Sequence, residues 1–140
     1  MGLLFRNCAG GIVFYENRAL LMRNEKDEWV MPKGVIREGG DMRRVALNRV
    51  KIEAGVEAEI LASAGETCYE FYSVTRKRPV CNRIQWFIMR AKADSCAPAA
   101  PFTEAAFFEK EAALEKITYT QDRSLRAVAW EKYSEIAEKM

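Results

Sequence analysis

The chain has no histidine, so any chemistry must come from carboxylates, lysines, arginines and four cysteines. Histidine general bases and histidine-based metal sites are thereby excluded. Arg49 and Glu53 stand four residues apart, the spacing of an ion pair along one helix face. Arg76, Lys77, Arg78 and Arg83 crowd into RKRPVCNR, a run that reads either as an ordinary solvated loop or as a cationic surface. Trp29, Tyr69, Phe71 and Trp86 offer rings on which a base can stack, although Trp86, inside the apolar run IQWFIMRA, reads as core. Cys8, Cys68, Cys81 and Cys96 are widely spread with no CxxC pair, so reduced thiols and a cytoplasmic setting are expected.

The elements that must position these residues follow from pattern. Cys8 to Tyr15 and Arg18 to Met22 are apolar runs joined at Glu16 and Asn17, a predicted hairpin. Trp29 to Met31 is a short apolar piece, and Pro32, Gly34, Gly39 and Gly40 bracket a loop. A helix follows: Asp41 caps it, Met42, Val45, Ala46 and Val50 recur at its period, and Gly55 stops it. Val56 to Val74, bent at Gly65, and Ile84 to Ala91 read as strands joined by the basic run. Ala106, Phe107, Lys110, Ala113, Leu114 and Ile117 fall at helical spacing, predicting a penultimate helix. A last helix is expected from near Ser124, with Leu125, Val128, Ala129, Tyr133, Ile136 and Ala137 inward.

With 140 residues, 49% of them hydrophobic, the chain suits one domain with one core. The 22 Lys plus Arg and 20 Asp plus Glu leave a formal charge of +2, so bulk charge alone calls for neither a nucleic-acid partner nor an acidic tail. No apolar run is long enough to span a bilayer, and no membrane association is expected. Met1 to Arg6 lacks a secretory layout, and Gly2 is not followed by Ser or Thr at position 6, so no myristoylation is expected.

Gly34 to Val56, GVIREGGDMRRVALNRVKIEAGV, resembles a Nudix box: Gly, five residues, Glu, seven residues, Arg-Glu, an aliphatic, any residue, Glu-Glu, any residue, Gly, an aliphatic. Gly34, Val50, Glu53, Gly55 and Val56 fall on that pattern without insertion. Gly40, Asn48, Arg49 and Ile52 depart from it, replacing Glu, Arg, Glu and Glu in turn. CAGGIVFY, ALLM and WVMPKG before the box, and ALEKITYTQDRSL after it, are similar to hydrolases of dinucleoside polyphosphates and diphosphoinositol phosphates.

The resemblance implies an α/β fold, a mixed sheet sandwiched between helices across 1–140. It also implies hydrolysis of phosphoric anhydrides with Mg²⁺ held by the box glutamates. Here the three cage positions are Arg49, Ile52 and Glu53, whose formal charge is zero instead of three negatives. Glu53 is then either a surviving metal ligand and catalytic residue or an ion-paired helix end. Glu38 and Asp41 flank the missing loop glutamate, as replacement ligands or as a solvated loop residue and an N-cap. Glu104 falls where many relatives place a further carboxylate, with an ordinary helix-start role as the other reading. Lys33 resembles the family's phosphate-facing lysine, and Arg37, Arg49, Arg76 and Arg78 extend a substrate-binding surface.

The expectation is a divergent member that binds a nucleoside or inositol polyphosphate-like small molecule, with weak or absent hydrolysis and Mg²⁺ needed only if it is active. Its rivals are a working Mg²⁺-dependent hydrolase with replacement carboxylates, and an RNA or protein module using RKRPVCNR. Nucleic acid is not the expected partner.

Overall fold

The structure, a computed structural model, describes residues 3–139. Met1 and Gly2, on which the leader and acylation expectations partly rest, lie outside the described residues. Seven strands form one mixed sheet: β1 Leu4–Tyr15, β2 Arg18–Arg23, β3 Trp29–Val30, β4 Lys33–Val35, β5 Ala58–Ser73, β6 Arg78–Ala91 and β7 Glu104–Glu109. Three helices cover it, α1 Met42–Arg49, which continues into a π-helical turn Val50–Ala54, α2 Lys110–Lys116 and α3 Thr120–Glu138. The expected α/β sandwich is what forms.

Alternation along β1 sends Cys8, Ile12 and Phe14 to one face and Ala9 and Val13 to the other. The first set packs with Ala113, Ile117, Ala129, Trp130 and Tyr133 of α2, α3 and the segment between them. The second packs with Ala46, Val50 and Ala54 of α1 and its π-helical turn. Phe14 stacks on Tyr133 at 4.2 Å and meets Trp130 edge-on at 5.1 Å, tying α3 to the centre of the sheet.

The sheet opens beside β1. One edge of β1 is paired to β6, in parallel, from Leu4 to Phe14. The other edge is divided: Cys8, Ala9 and Gly10 pair with β4, and only Phe14 and Tyr15 pair with β2. β7 pairs with β2 along its whole length, Arg18 to Arg23, and beyond those two rungs Met22 and Arg23 pair with β3. Arg126 of α3 reaches in there, its Nη2 donating to the Leu20 carbonyl at 2.6 Å.

Several expectations are corrected. The penultimate helix is shorter and later: Glu104 to Glu109 is β7, because β2 needs a partner on its open edge and EAAFFE satisfies it rung by rung. Helical spacing at 106 and 107 is thus overridden by tertiary pairing. The last helix starts at Thr120 and turns Asp122, Arg126, Ala129, Trp130 and Tyr133 inward, leaving Val128 59% exposed. An apolar count could not anticipate a buried arginine bonded to the Leu20 carbonyl. RKRPVCNR is mostly strand, since β6 begins at Arg78 and only Arg76 and Lys77 lie in the turn. Cys68 and Cys81 form a disulfide between β5 and β6, correcting the all-reduced reading, while Cys8 and Cys96 are free. Sequence spacing missed it because the two residues meet only through the hairpin register, in which Cys68 pairs with Arg83 and Glu70 with Cys81.

Candidate functional site

The box folds as its shape residues dictate. The Asp41 carboxylate accepts from the Arg43 amide at 2.9 Å, capping α1, and Gly55 ends the π-helical turn at φ 70°. Val50 and Ala46 are fully buried, with Val45 beside them. The four departures converge on the outer side. Gly40, Asn48, Arg49 and Ile52, with Val35 and Arg37, line a hollow of about 290 Å³. Two guanidinium-bearing side chains and apolar walls line it.

Glu53 lies at the inner rim of that surface, its side chain 17% exposed and 3.9 Å from Arg49 Nη1. Its Oε1 is buried with no hydrogen-bond partner among the described residues. Burial pushes the Glu53 carboxyl above its ordinary range, opposed by the charges of Arg49 and Lys33 and by the Lys33 backbone amide. No group of three His, Cys, Asp or Glu that could hold a metal occurs among the described residues. Glu38 is an exposed loop residue, and Glu104, on β7 instead of a helix start, bonds Arg23 at 3.3 Å. Asp41 is occupied as a cap. The donor set therefore does not fit a divalent cage: one carboxylate remains and a cation already sits against it.

Because its folded-state pKa is raised, Glu53 contributes stability that is complete below the ordinary 4.5 and is lost as pH rises through its elevated value. Glu53→Gln removes that loss. We expect urea denaturation to show wild type and Glu53→Gln alike at pH 4, with the variant the more stable of the two at pH 7.5. A variant less stable at pH 7.5 than at pH 4, relative to wild type, contradicts this placement of the carboxylate.

Lys33 occupies β4 opposite Gly10, and its charge is felt by Cys8, Glu28, Glu53 and Asp122. It is the junction between the box and the α3 face. Asp122, 8% exposed, is pushed up by burial and pulled back by Lys33 and Arg126. Burial pushes Arg126 down to about 9 against the pull of Asp122, and its Nε and Nη1 have no hydrogen-bond partner among the described residues. Cations and carboxylates thus alternate from Arg49 through Glu53, Lys33 and Asp122 to Arg126.

On the α3 face Tyr69 of β5 and Tyr119, just before α3, stand nearly parallel, 10° between planes and 6.3 Å between centroids. Offset-stacked rings in contact have centroids about 4.5–7 Å apart, so the pair forms one aromatic platform, with Tyr119 42% exposed. Both phenols are held. Tyr119 donates to Glu28 Oε2 at 2.7 Å, which pushes the phenol up to about 12 and, with Asn24, pulls Glu28 down. Asn82 Nδ2 donates to Tyr69 Oη at 2.9 Å, and Arg6 Nε donates to Asn82 Oδ1 at 2.8 Å.

Of the four rings singled out in the sequence, Trp86 is core, 1% exposed and donating to Thr67. Trp29 is packed edge-on against Phe108 with the Lys116 ammonium 5.1 Å above it. Tyr69 and Phe71 remain. Tyr119 was missed, although its place just ahead of Asp122 in a helix-start pattern was a usable signal. Arg37 and Arg49 share the hollow, with Lys33 on the strand beside it. Arg83 lines a separate cleft of about 340 Å³ with Asn7, Met42, Glu66 and Gln85, its guanidinium 4.0 Å from the Phe5 ring centroid. Arg78 lies six residues along β6 from Ile84, the level of Cys8 and Val35, roughly 20 Å away. Arg76 and Arg78 therefore do not join Lys33 at one phosphate.

The sequence model of the NUDIX domain matches residues 4–139. The chain belongs to that family. Solved structures agree on the fold of this Nudix domain. A Caenorhabditis elegans Ap4A hydrolase in a binary complex superposes with TM-score 0.69 at 17% identity, covering 96% of this chain and 99% of that one. A MutT protein from Methanosarcina mazei Go1 gives 0.74 at 12% identity, covering 95% and 98%. A NUDIX hydrolase from Nitrosomonas europaea gives 0.71 at 17% identity, covering 91% and 72%. At such identities the likeness is one of fold.

Proposed function

We propose that this Nudix domain binds a nucleoside polyphosphate without a divalent metal, and hydrolyses it weakly or not at all. The observation that carries the reading is the parallel Tyr69–Tyr119 pair on the face reached by Lys33. A base stacks on the exposed Tyr119 ring, which Tyr69 backs, and each ring is already fixed by a hydrogen bond to its phenol, so little side-chain entropy is lost on binding. The phosphates then run toward Lys33, with Arg37 and Arg49 beyond it in the place of the cage. Guanidinium groups bind phosphate oxygens in pairs and need no metal to do so.

The weak-hydrolysis half rests on donor count. Splitting an anhydride requires phosphate charge to be neutralised and a water to be activated, tasks that metal performs when carboxylates hold it. Glu53 alone, paired with Arg49, supplies one ligand. The names of two solved relatives favour a heteroaromatic base over an inositol ring: an Ap4A hydrolase and a dihydroneopterin triphosphate pyrophosphohydrolase. The tyrosine pair points the same way, since an inositol ring has no π-face to stack. The test is phosphate release from a panel of nucleoside tri-, tetra- and dinucleoside polyphosphates with Mg²⁺ or Mn²⁺. Background rates are expected throughout. Metal-dependent turnover that Glu53→Gln abolishes would overturn the reading in favour of a working hydrolase.

A further inference from the structure

Strand β5 closes one end of the sheet, and among the described residues only β6 pairs with it. Its first half is shielded. The ladder there is irregular between Ile60 and Ala62 and between Ser63 and Gly65, and α3 reaches over it, with Leu125 beside Gly65 and Lys132 Nζ donating to the Ser63 carbonyl. From Glu66 to Ser73 the register with β6 is regular, and the Cys68–Cys81 disulfide ties this stretch down. Glu66, Cys68, Glu70, Phe71 and Tyr72 are exposed along it, Phe71 by 38% and Tyr72 by 63%.

A proline decides which backbone groups face outward. Rungs of an antiparallel pair alternate between residues that exchange both N–H···O bonds and residues that exchange none. Pro79 has no N–H, so its rung with Tyr72 is of the second kind, and by alternation so are Cys81 with Glu70, Arg83 with Cys68 and Gln85 with Glu66. The amides and carbonyls of Glu66, Cys68, Glu70 and Tyr72 therefore point away from β6, a row of donors and acceptors set for another strand. Edge strands are ordinarily blunted by Lys, Pro or bulges. β5 holds no Lys, Arg or Pro, and its irregular rungs all lie before Glu66.

We propose that this edge pairs with the same edge of a second copy of the chain, antiparallel about a two-fold axis at Phe71. Charge selects both the occupant and the register. Acids stand on the strand, at Glu66 and Glu70, and cations in the turn that follows, at Arg76 and Lys77. An antiparallel copy reverses that order. With the axis at Phe71, the outward groups of Glu70 meet those of Tyr72, and each Glu66 comes alongside the other copy's turn at Arg76. An axis at Glu70 sets like charges directly opposite, and one at Tyr69 leaves both acids opposite neutral residues. Because each copy uses the same edge, pairing closes at two chains. The dimer continues the sheet and stands apart from the nucleotide reading.

The test is sedimentation velocity on wild type, Glu66→Arg, Arg76→Glu, the double exchange of both, and Glu70→Pro, with far-UV circular dichroism to check the fold of each. A strip of this length is a small interface, so wild type is expected to pass from monomer to dimer across about 10–500 µM protein. Each charge reversal acts twice across the axis, and either one alone is expected to weaken the dimer about tenfold. The double exchange, which restores opposite charges, is expected to recover wild-type affinity to within about threefold. Glu70→Pro removes an outward amide and no β5–β6 bond, so it is expected to stay monomeric throughout. A wild type that is monomeric at the highest concentration, assembly beyond two chains, a double exchange no tighter than the single ones, or a folded Glu70→Pro that dimerises like wild type would overturn the pairing.

Discussion

Writing Asn48→Arg, Arg49→Glu and Ile52→Glu into α1 and its π-helical turn will raise Mg²⁺ affinity by about a hundredfold and confer measurable phosphate-anhydride hydrolysis. The three positions face one hollow, so the new carboxylates join Glu53 on a single surface. The formal charge at 49, 52 and 53 goes from zero to three negatives. Asn48 and Ile52 are exposed, so the exchanges there cost little packing. Arg49 is the exception. Its side chain lies where a Cβ on Gly34 would stand, and a shorter Glu leaves that space open above the glycine.

Single changes should do little, because one added carboxylate still meets either Arg49 or a missing second ligand; ligands that act as a unit are far from additive. The fourth consensus change, Gly40→Glu, differs in kind. A Cβ there would stand 2.8 Å from the Arg37 carbonyl oxygen, which accepts from the Gly40 amide in a tight turn. Adding it should help only after that turn opens. Calorimetric titration of Mg²⁺ into the folded triple variant checks the expectation. No gain in binding would mean that the box backbone does not hold the geometry a cage needs.

The second large effect is expected at Tyr119. Removing the ring in Tyr119→Ala takes away the exposed stacking surface and should weaken nucleoside triphosphate binding about tenfold or more, the usual worth of one base–aromatic stack. Tyr119→Phe keeps the ring and loses only the bond to Glu28, so a loss of no more than a few-fold is expected. Inorganic tripolyphosphate, which has no base, should bind both variants as it binds wild type. Equal losses for triphosphate and tripolyphosphate would place Tyr119 in the fold instead of the binding surface.

The parts of this molecule that depend on short-range pattern were legible in its residues. The β1–β2 hairpin with its turn at Glu16 and Asn17, the capped box helix and its Gly55 stop all follow from periodicity and turn chemistry. The parts that depend on one strand's unmet needs were not. EAAFFE becomes β7 because β2 has an open edge, and Arg126 turns inward to the Leu20 carbonyl just past the two rungs that join β2 to β1. Neither contact is visible within either segment. The site divides the same way. Arg49 and Glu53 are four apart on one helix and their pairing could be read directly, whereas Tyr69 and Tyr119 meet only because α3 begins beside β5. Cys68 and Cys81 likewise depend on the hairpin register.

The central claim is that Lys33 and the arginines replace metal in holding the phosphates. Isothermal titration of ATP into the wild-type protein, once in excess EDTA and once in excess Mg²⁺, tests it directly. The account predicts binding in EDTA at least as tight as in Mg²⁺, because chelated phosphates carry less charge for Lys33, Arg37 and Arg49 to neutralise. Binding that appears only when Mg²⁺ is present would contradict it.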